Sequence, residues 1–375
     1  MSVSVHVPLS IPNSSKPTST TPTPSTFLTD QEASFLPSSV IKEITRTGKL
    51  PVAPSSEIIE AAVLLADISG FSKLSEKLQL EHGDERGTEM FVKVVGDAFA
   101  VCVRIIERFG GEVVKFAGDC LICIFTGNNE EEEEDDEDDF EYFSRAKMAA
   151  RALLDAIVTS SDGKLDLHGG LVSGNLQRIH LKDLRSGSPR TKSARQRLHD
   201  ADESTLTTAQ IEQRKSRWFC IAGRPLKQVG KLLDQAPAGE IHVGRGEVID
   251  RTTPLNGNTT GPRRSSLGLG ASKFEIKKCP SSARCYIPPI VRQKFKDSKI
   301  RIDDFSTEHR NVIVTFISLP GLFKASSKAK GVDCAVLNDT YSALLGICAK
   351  HDGVLRDFLV SGWWWWWWWV VGGRW

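Results

Sequence analysis

The chain has 375 residues, an apolar share of 40% and a formal net charge of +1, from 48 Lys and Arg against 47 Asp and Glu. That length accommodates two domains with sizeable cores, and the balanced charge gives no electrostatic drive toward nucleic acid or a membrane surface. The eight cysteines follow no framework spacing and read as buried or free thiols of a cytosolic protein; no secretory signal and no apolar stretch of transmembrane length are recognised.

Residues 1–55 are rich in Ser, Thr and Pro, a composition that buries too little surface to order itself. They are expected to form a disordered leader, with a short helix in the patch from Leu36 to Leu50. The apolar run Ala61–Ala66 then reads as a buried strand, and it ends at Asp67, directly before Ile68-Ser69-Gly70-Phe71. The Leu74/Leu78 spacing predicts a helix from Phe71 to about Leu80, with Ser69 or Ser72 as its cap. A polar turn over Glu81–Gly87 leads into a longer helix carrying Met90, Phe91, Val94, Phe99, Val103 and Ile106 on one face, ended by Gly110-Gly111. Val113–Phe116 and Cys120–Phe125 read as a hairpin with Gly118-Asp119 in the turn. Cys120 and Cys123 form a CxxC, but residues three apart on a strand face opposite sides, which disfavours a metal or redox reading.

The insert 128–140 is dominated by the acidic run Glu130–Asp139 and reads as a solvated loop. Phe143–Val158 reads as an amphipathic helix and Leu165–Val172 as a strand, in which Gly169, Gly170 and Gly174 imply bends or close backbone approach. Residues 181–217 are basic and are expected as an inserted loop; no aromatic residues interleave the charges as a nucleic-acid role requires. Trp218–Ala222, Gly223–Leu233 and Glu240–Val243 complete a strand, a helix and a last strand, and the first domain is set at residues 56–250. A linker follows over 251–306.

Two carboxylates stand out. A strand passing into a helix at Gly70 leaves backbone N–H groups open at the helix start, a natural phosphate site. With the first strand beside the hairpin, Asp67 and Asp119 converge next to that cradle, and two carboxylates beside a triphosphate suit a pair of Mg²⁺ ions. The bland alternatives are an N-cap for Asp67 and turn chemistry for Asp119. Lys115 is close enough in sequence to face the same cleft, or is an exposed strand lysine.

DISGF followed by FGGxxxKFAGD closely resembles the first catalytic half of the class III nucleotide cyclases, in particular the soluble adenylyl cyclase type, over about Ala61–Ile249. The resemblance implies an α+β, ferredoxin-like catalytic domain that converts ATP to 3′,5′-cyclic AMP and pyrophosphate in intracellular signalling. It implies two divalent cations, Mg²⁺ or Mn²⁺, on Asp67, Asp119 and the Ile68 carbonyl, with Ile68, Ser69, Gly70, Phe71 and Gly118 around the phosphates. It further implies a cytoplasmic protein without a transmembrane segment. In FCIAGRPLKQVGKLL the family's bicarbonate-binding arginine aligns with Gly230.

Asn311–Phe323 can be laid on Ala62–Leu74, and Asp352–Val360 on Gly110–Gly118, which reads as an incomplete second copy over 307–362. Phe316 and Ser361 take the places of Asp67 and Asp119, so that copy carries no metal carboxylates. In the family such a half contributes contacts to base, ribose and phosphate, so the partner required is an intact second cyclase half, from the same or another chain. The run Trp363–Trp369 with its Val and Gly flank, within 363–375, fits a DNA repeat read out of frame and is taken as a gene-model artefact, with a membrane-interface anchor as the alternative. The other function open to the chain is a catalytically silent nucleotide- or metal-binding module that regulates a partner half.

Overall fold

The computed structural model describes residues 26–127, 141–183, 215–254, 279–289, 291, 292, 295, 332–351, 353, 355 and 358. Two short helices open it, α1 (Asp30–Ala33) and α2 (Ser38–Thr47), followed by strand β1 (Ser55–Ser69). Helices α3 (Phe71–His82) and α4 (Asp84–Arg108) lead to strands β2 (Gly111–Ala117) and β3 (Cys120–Thr126), helix α5 (Glu141–Ser160) and strand β4 (Asp166–Lys182). The strands lie in the order β2-β3-β1-β4. β3 runs antiparallel between the split pair β1 and β2, and β4 pairs antiparallel with the other side of β1. This is the ferredoxin-like α+β arrangement expected from the sequence.

The central position of β1 explains its composition. From Ala61 to Ile68 every residue is buried, because helices cover both faces of the sheet. Ala62, Leu64, Ala66 and Ile68 face the core built with α3, α4 and α5. Ala61, Val63 and Leu65 face the opposite core, closed by helix α6 (Arg224–Leu233) through Leu226, Val229 and Leu233. A strand covered on both sides loses polar alternation and reads as one apolar run. Strand β5 (Arg217–Ala222) pairs with the far half of β4. Strand β6 (Glu240–Val243) runs parallel to the near half of β4, and β7 (Val248–Asp250) pairs with β6.

Several sequence expectations need correction. Within the leader, residues 26–54 are described; the short helix expected between Leu36 and Leu50 is α2, and its Val40, Ile41 and Ile44 are buried against Cys279, Ala283, Tyr286 and Ile287. Those last residues belong to or flank a 3₁₀ helix, Ser281–Tyr286, in what was read as linker. The supposed turn over Glu81–Gly87 is mostly helical, broken only at Gly83 (φ +81°). The basic segment begins later and ends earlier than 181–217, since Leu181 and Lys182 belong to β4 and Arg217 to β5. β7 was not anticipated.

Of the supposed second copy, the structure describes chiefly helix α7 (Cys334–Lys350), N-capped by the Asp333 side chain. Its Leu337, Tyr341 and Leu345 pack on Ile179 and Leu181 of β4 and Cys220 and Ala222 of β5. The stretch Asn311–Phe323, the acidic run and the tryptophan run lie outside the described residues. Among the described residues no helix is long and apolar enough to cross a membrane.

Two local devices hold the sheet to its helices. The buried Arg145 of α5 donates through Nη1 to the carbonyls of Phe109 (3.2 Å) and Gly110 (3.3 Å), and through Nη2 to that of Thr126 (2.6 Å). One guanidinium thereby satisfies the open carbonyl end of α4 and the end of β3. Gly170 lets α6 lie flush on β4, because a Cβ there would sit 2.3 Å from the Val229 carbonyl oxygen. Gly170→Ala is therefore expected to lower stability by about 1–3 kcal/mol, as overpacking does. Gly244→Ala, whose added carbon would meet nothing closer than 3.8 Å, serves as the comparison. Thermal melting of the two variants checks this, and equal melting temperatures would refute the packing role of Gly170.

Candidate functional site

The apolar run of β1 ends in a charge. Asp67 lies opposite Cys120 of β3 on one side and opposite His168 of β4 on the other. It shares the face of Ala61, Val63 and Leu65, and it is only 7% exposed. Burial in the sheet pushes its carboxyl up to about 8, and the charge of Asp119 adds to the effect. Burial likewise raises Asp119. Burial is thus the larger cause at both positions, and the Asp119 charge further disfavours ionised Asp67.

The β2–β3 hairpin places the second carboxylate. Its two-residue turn is Gly118-Asp119, with Gly118 at φ +68°. Left-handed backbone at the first turn position and ordinary backbone at the second is the type II′ pattern, which calls for glycine first. The Ile68 amide donates to the Asp119 carbonyl at 3.2 Å. This bond pins the backbone of the hairpin tip to the end of β1.

One oxygen of the pair stands apart. Asp67 Oδ1 is buried and has no hydrogen-bond partner among the described residues. Oδ2 lies 3.6 Å from His168 Nε2. An orphaned buried carboxylate oxygen is rare and calls for an explanation; a divalent cation, with its preference for carboxylate oxygens, fits. Among the described residues no group of three or more His, Cys, Asp or Glu side chains is assembled to hold a metal, so the fit rests on the Asp67–Asp119 pair.

Beyond Asp67 the chain turns into α3. The sequence reading assigned the cap to Ser69 or Ser72; Gly70 takes it instead, at φ +103°, and no side chain caps the helix. A Cβ at Gly70 would stand 3.0 Å from the Lys164 carbonyl oxygen, so both conformation and space favour glycine. The first helical bond runs from the Leu74 amide to the Gly70 carbonyl, 3.0 Å. The amides of Phe71, Ser72 and Lys73 thus open the helix with no intrahelical acceptor. Phe71 anchors this start: its ring packs edge-on against Phe91 at 6.0 Å and tilted against Phe99 at 6.2 Å. Ile68 points into the helix-side core, and Ser69 ends β1 opposite Asp166.

Lys115 lies opposite Ile122, on the sheet face that carries Asp67. Its ammonium stands 4.4 Å from the centre of the Trp218 ring, a cation–π contact that ties β2 to β5. It is not the exposed strand lysine that was one of its two readings. His168 escaped the sequence reading altogether. Its only local signal was the histidine of His168-Gly169-Gly170, and its place beside Asp67 depends on strand register.

No family model matches the chain. Adenylate cyclase type 10 of Oryctolagus cuniculus is 32% identical over 75 residues, covering 20% of this chain and 5% of that protein. The photoactivated adenylate cyclase subunit beta of Euglena gracilis is 32% identical over 95 residues, covering 25% of this chain and 10% of its own length. Among solved structures, the adenylyl cyclase CyaB from P. aeruginosa covers 51% of this chain and 79% of its own, with 16% identity and a TM-score of 0.34. The chain thus spans a tenth or less of the length of these curated relatives. Over the aligned residues, the chain is similar to adenylate cyclase type 10 and to the photoactivated adenylate cyclase subunit beta of Euglena gracilis.

Proposed function

We propose that the domain over residues 56–250 is one half of a nucleotide cyclase catalytic site, acting on ATP to form 3′,5′-cyclic AMP and pyrophosphate. The observation that carries this reading is buried Asp67, with its Oδ1 unpartnered among the described residues and the Asp119 charge acting on it, set beside the uncapped start of α3. Similarity to adenylate cyclases across part of the chain supports the choice of ATP.

In this reading Asp67 and Asp119 hold two divalent cations, Mg²⁺ or Mn²⁺, with the Ile68 carbonyl as a further ligand. Such ions lower the pKa of an attacking hydroxyl and neutralise charge on phosphate oxygens. The chain's own contribution is placement. The open amides from Gly70 to Lys73, with the positive end of the α3 dipole, receive phosphate oxygens. Gly118 gives the turn that presents Asp119, and the Phe71 ring fixes the cradle. A second cyclase half supplies contacts to base, ribose and triphosphate. The domain limits, with an incomplete second copy over 307–362, are part of the same proposal, as is a cytoplasmic location.

A silent nucleotide- or metal-binding module that regulates a partner half is the second reading. The engagement of Lys115 with Trp218 favours it, since an ammonium held over an indole is not directed at a triphosphate.

The deciding assay is cyclic AMP production from ATP and Mn²⁺ by the purified chain, alone and with an added second half from a soluble-type cyclase. Activity in either mixture that Asp119→Ala lowers about 100-fold or more would carry the cyclase reading. Silence in both, with ATP still bound, would carry the regulatory one.

Stability supplies an independent check. Asp67 titrates above its unfolded value, so its neutral form favours the fold at low pH, and that contribution is lost as pH rises from about 4 through about 8. Without divalent ions, the melting temperature of the wild type is expected to fall relative to Asp67→Asn across that window. Mn²⁺ should restore it in the wild type alone. A difference independent of both pH and Mn²⁺ would remove the strained carboxylate from the account.

A further inference from the structure

Strand register puts His168 in direct line with Asp67, as its cross-strand neighbour on β4. Directly opposed side chains in an antiparallel pair stand about 4.5–5.5 Å apart at Cβ and interact, and here Nε2 comes within 3.6 Å of Oδ2. The approach is set by the backbone. Gly169 follows His168, and a Cβ at that position would be 2.4 Å from the Leu65 carbonyl oxygen. Only a residue without a side chain allows β4 to lie so close to β1 at this point. The imidazole is therefore held to the carboxylate by two strands, whereas a loop residue would be free to move away.

The two oxygens of Asp67 are consequently unequal. Oδ2 is turned to the imidazole, while Oδ1 has no partner among the described residues. His168 Nδ1 is likewise buried with no partner among the described residues. An imidazole that turns Nε2 toward Oδ2 leaves Nδ1 on its other side; at 3.6 Å the approach is electrostatic and longer than a hydrogen bond. We propose that His168 is a positioning residue for Asp67: by standing against Oδ2 it orients the carboxylate so that Oδ1 meets a divalent cation, and so sets the affinity of the site. This deepens the reading of Asp67 and Asp119 as cation ligands and rests on it. His168 itself acts through Asp67 and is not placed in the cation's coordination.

The test uses Mn²⁺ alone with the full-length chain, its binding followed by the loss of the free-ion electron paramagnetic resonance signal. His168→Ala is expected to weaken Mn²⁺ binding about 10- to 100-fold, the cost usual for losing a group that orients a metal ligand. His168→Gln, whose amide nitrogen reaches the place of Nε2, should bind within about 3-fold of wild type, whereas His168→Asn, which cannot reach it, should be as weak as the alanine variant. Melting curves taken without metal establish that each variant is folded, and Gln against Asn compares two polar side chains at one position should the alanine variant unfold. Equal affinity of Gln and Asn variants, or wild-type affinity in His168→Ala, overturns the positioning role while Asp119→Asn still abolishes binding. Should wild type and Asp119→Asn bind Mn²⁺ alike, the cation reading of the pair fails, and the role of His168 with it.

Discussion

The burial of β1 on both faces is the constraint from which the rest follows. A strand sandwiched between α3, α4 and α5 on one side and α6 on the other has no place for a charge along its length. The first charge tolerated after Ala61 is Asp67, where the strand emerges toward the β2–β3 turn. Even there the carboxyl is buried enough to be pushed up to about 8. The same core that stabilises the fold therefore builds the electrostatic tension of the site, and a bound cation would relieve it without rearranging the sheet.

Backbone geometry keeps that tension in place. The Ile68–Asp119 bond ties the backbone of the hairpin tip to the end of β1. Glycines at 70, 118, 169 and 170 are each required where the chain turns left-handed or another backbone approaches too closely for a Cβ. Arg145 performs the corresponding task at the opposite end, gathering three carbonyls around one buried guanidinium.

The periphery is tied to this frame by polar anchors on apolar patches. Glu112 of β2 accepts from the Ser39 amide at 3.2 Å and its hydroxyl at 3.1 Å, at the start of α2. A carboxylate there complements the helix dipole, although burial pushes it up to about 7. On the same helix, Glu43 lies 3.6 Å from His180, whose Nδ1 meets the Tyr286 hydroxyl at 2.8 Å. Segments before and after the sheet domain are thus joined over the β4–β5 arm. α7 covers another part of that arm, where the Asn338 side chain accepts from the Lys182 amide at 2.9 Å.

Local signals were sufficient for much of this. The unbroken apolar run of β1, the Leu74/Leu78 periodicity of α3, the Gly118-Asp119 turn and the glycines of β4 each announce themselves within a few residues, because propensity, periodicity and turn chemistry are short-range. The DISGF and KFAGD motifs likewise placed Asp67 and Asp119 before any contact was known. What sequence alone misplaced depends on distant partners. The short helix expected between Leu36 and Leu50 is α2, but its apolar partners at 279–287 lie far along the chain, in what reads as linker. Gly70 displaced Ser69 and Ser72 as the cap of α3 because the Lys164 carbonyl crowds that corner. Lys115 found an indole on another strand, and His168 met Asp67 through a register that one residue of slip would have reversed. The sequence by itself determined which groups carry charge and where the chain bends; only the tertiary structure decided which of them meet, since burial and register are properties of the assembled sheet.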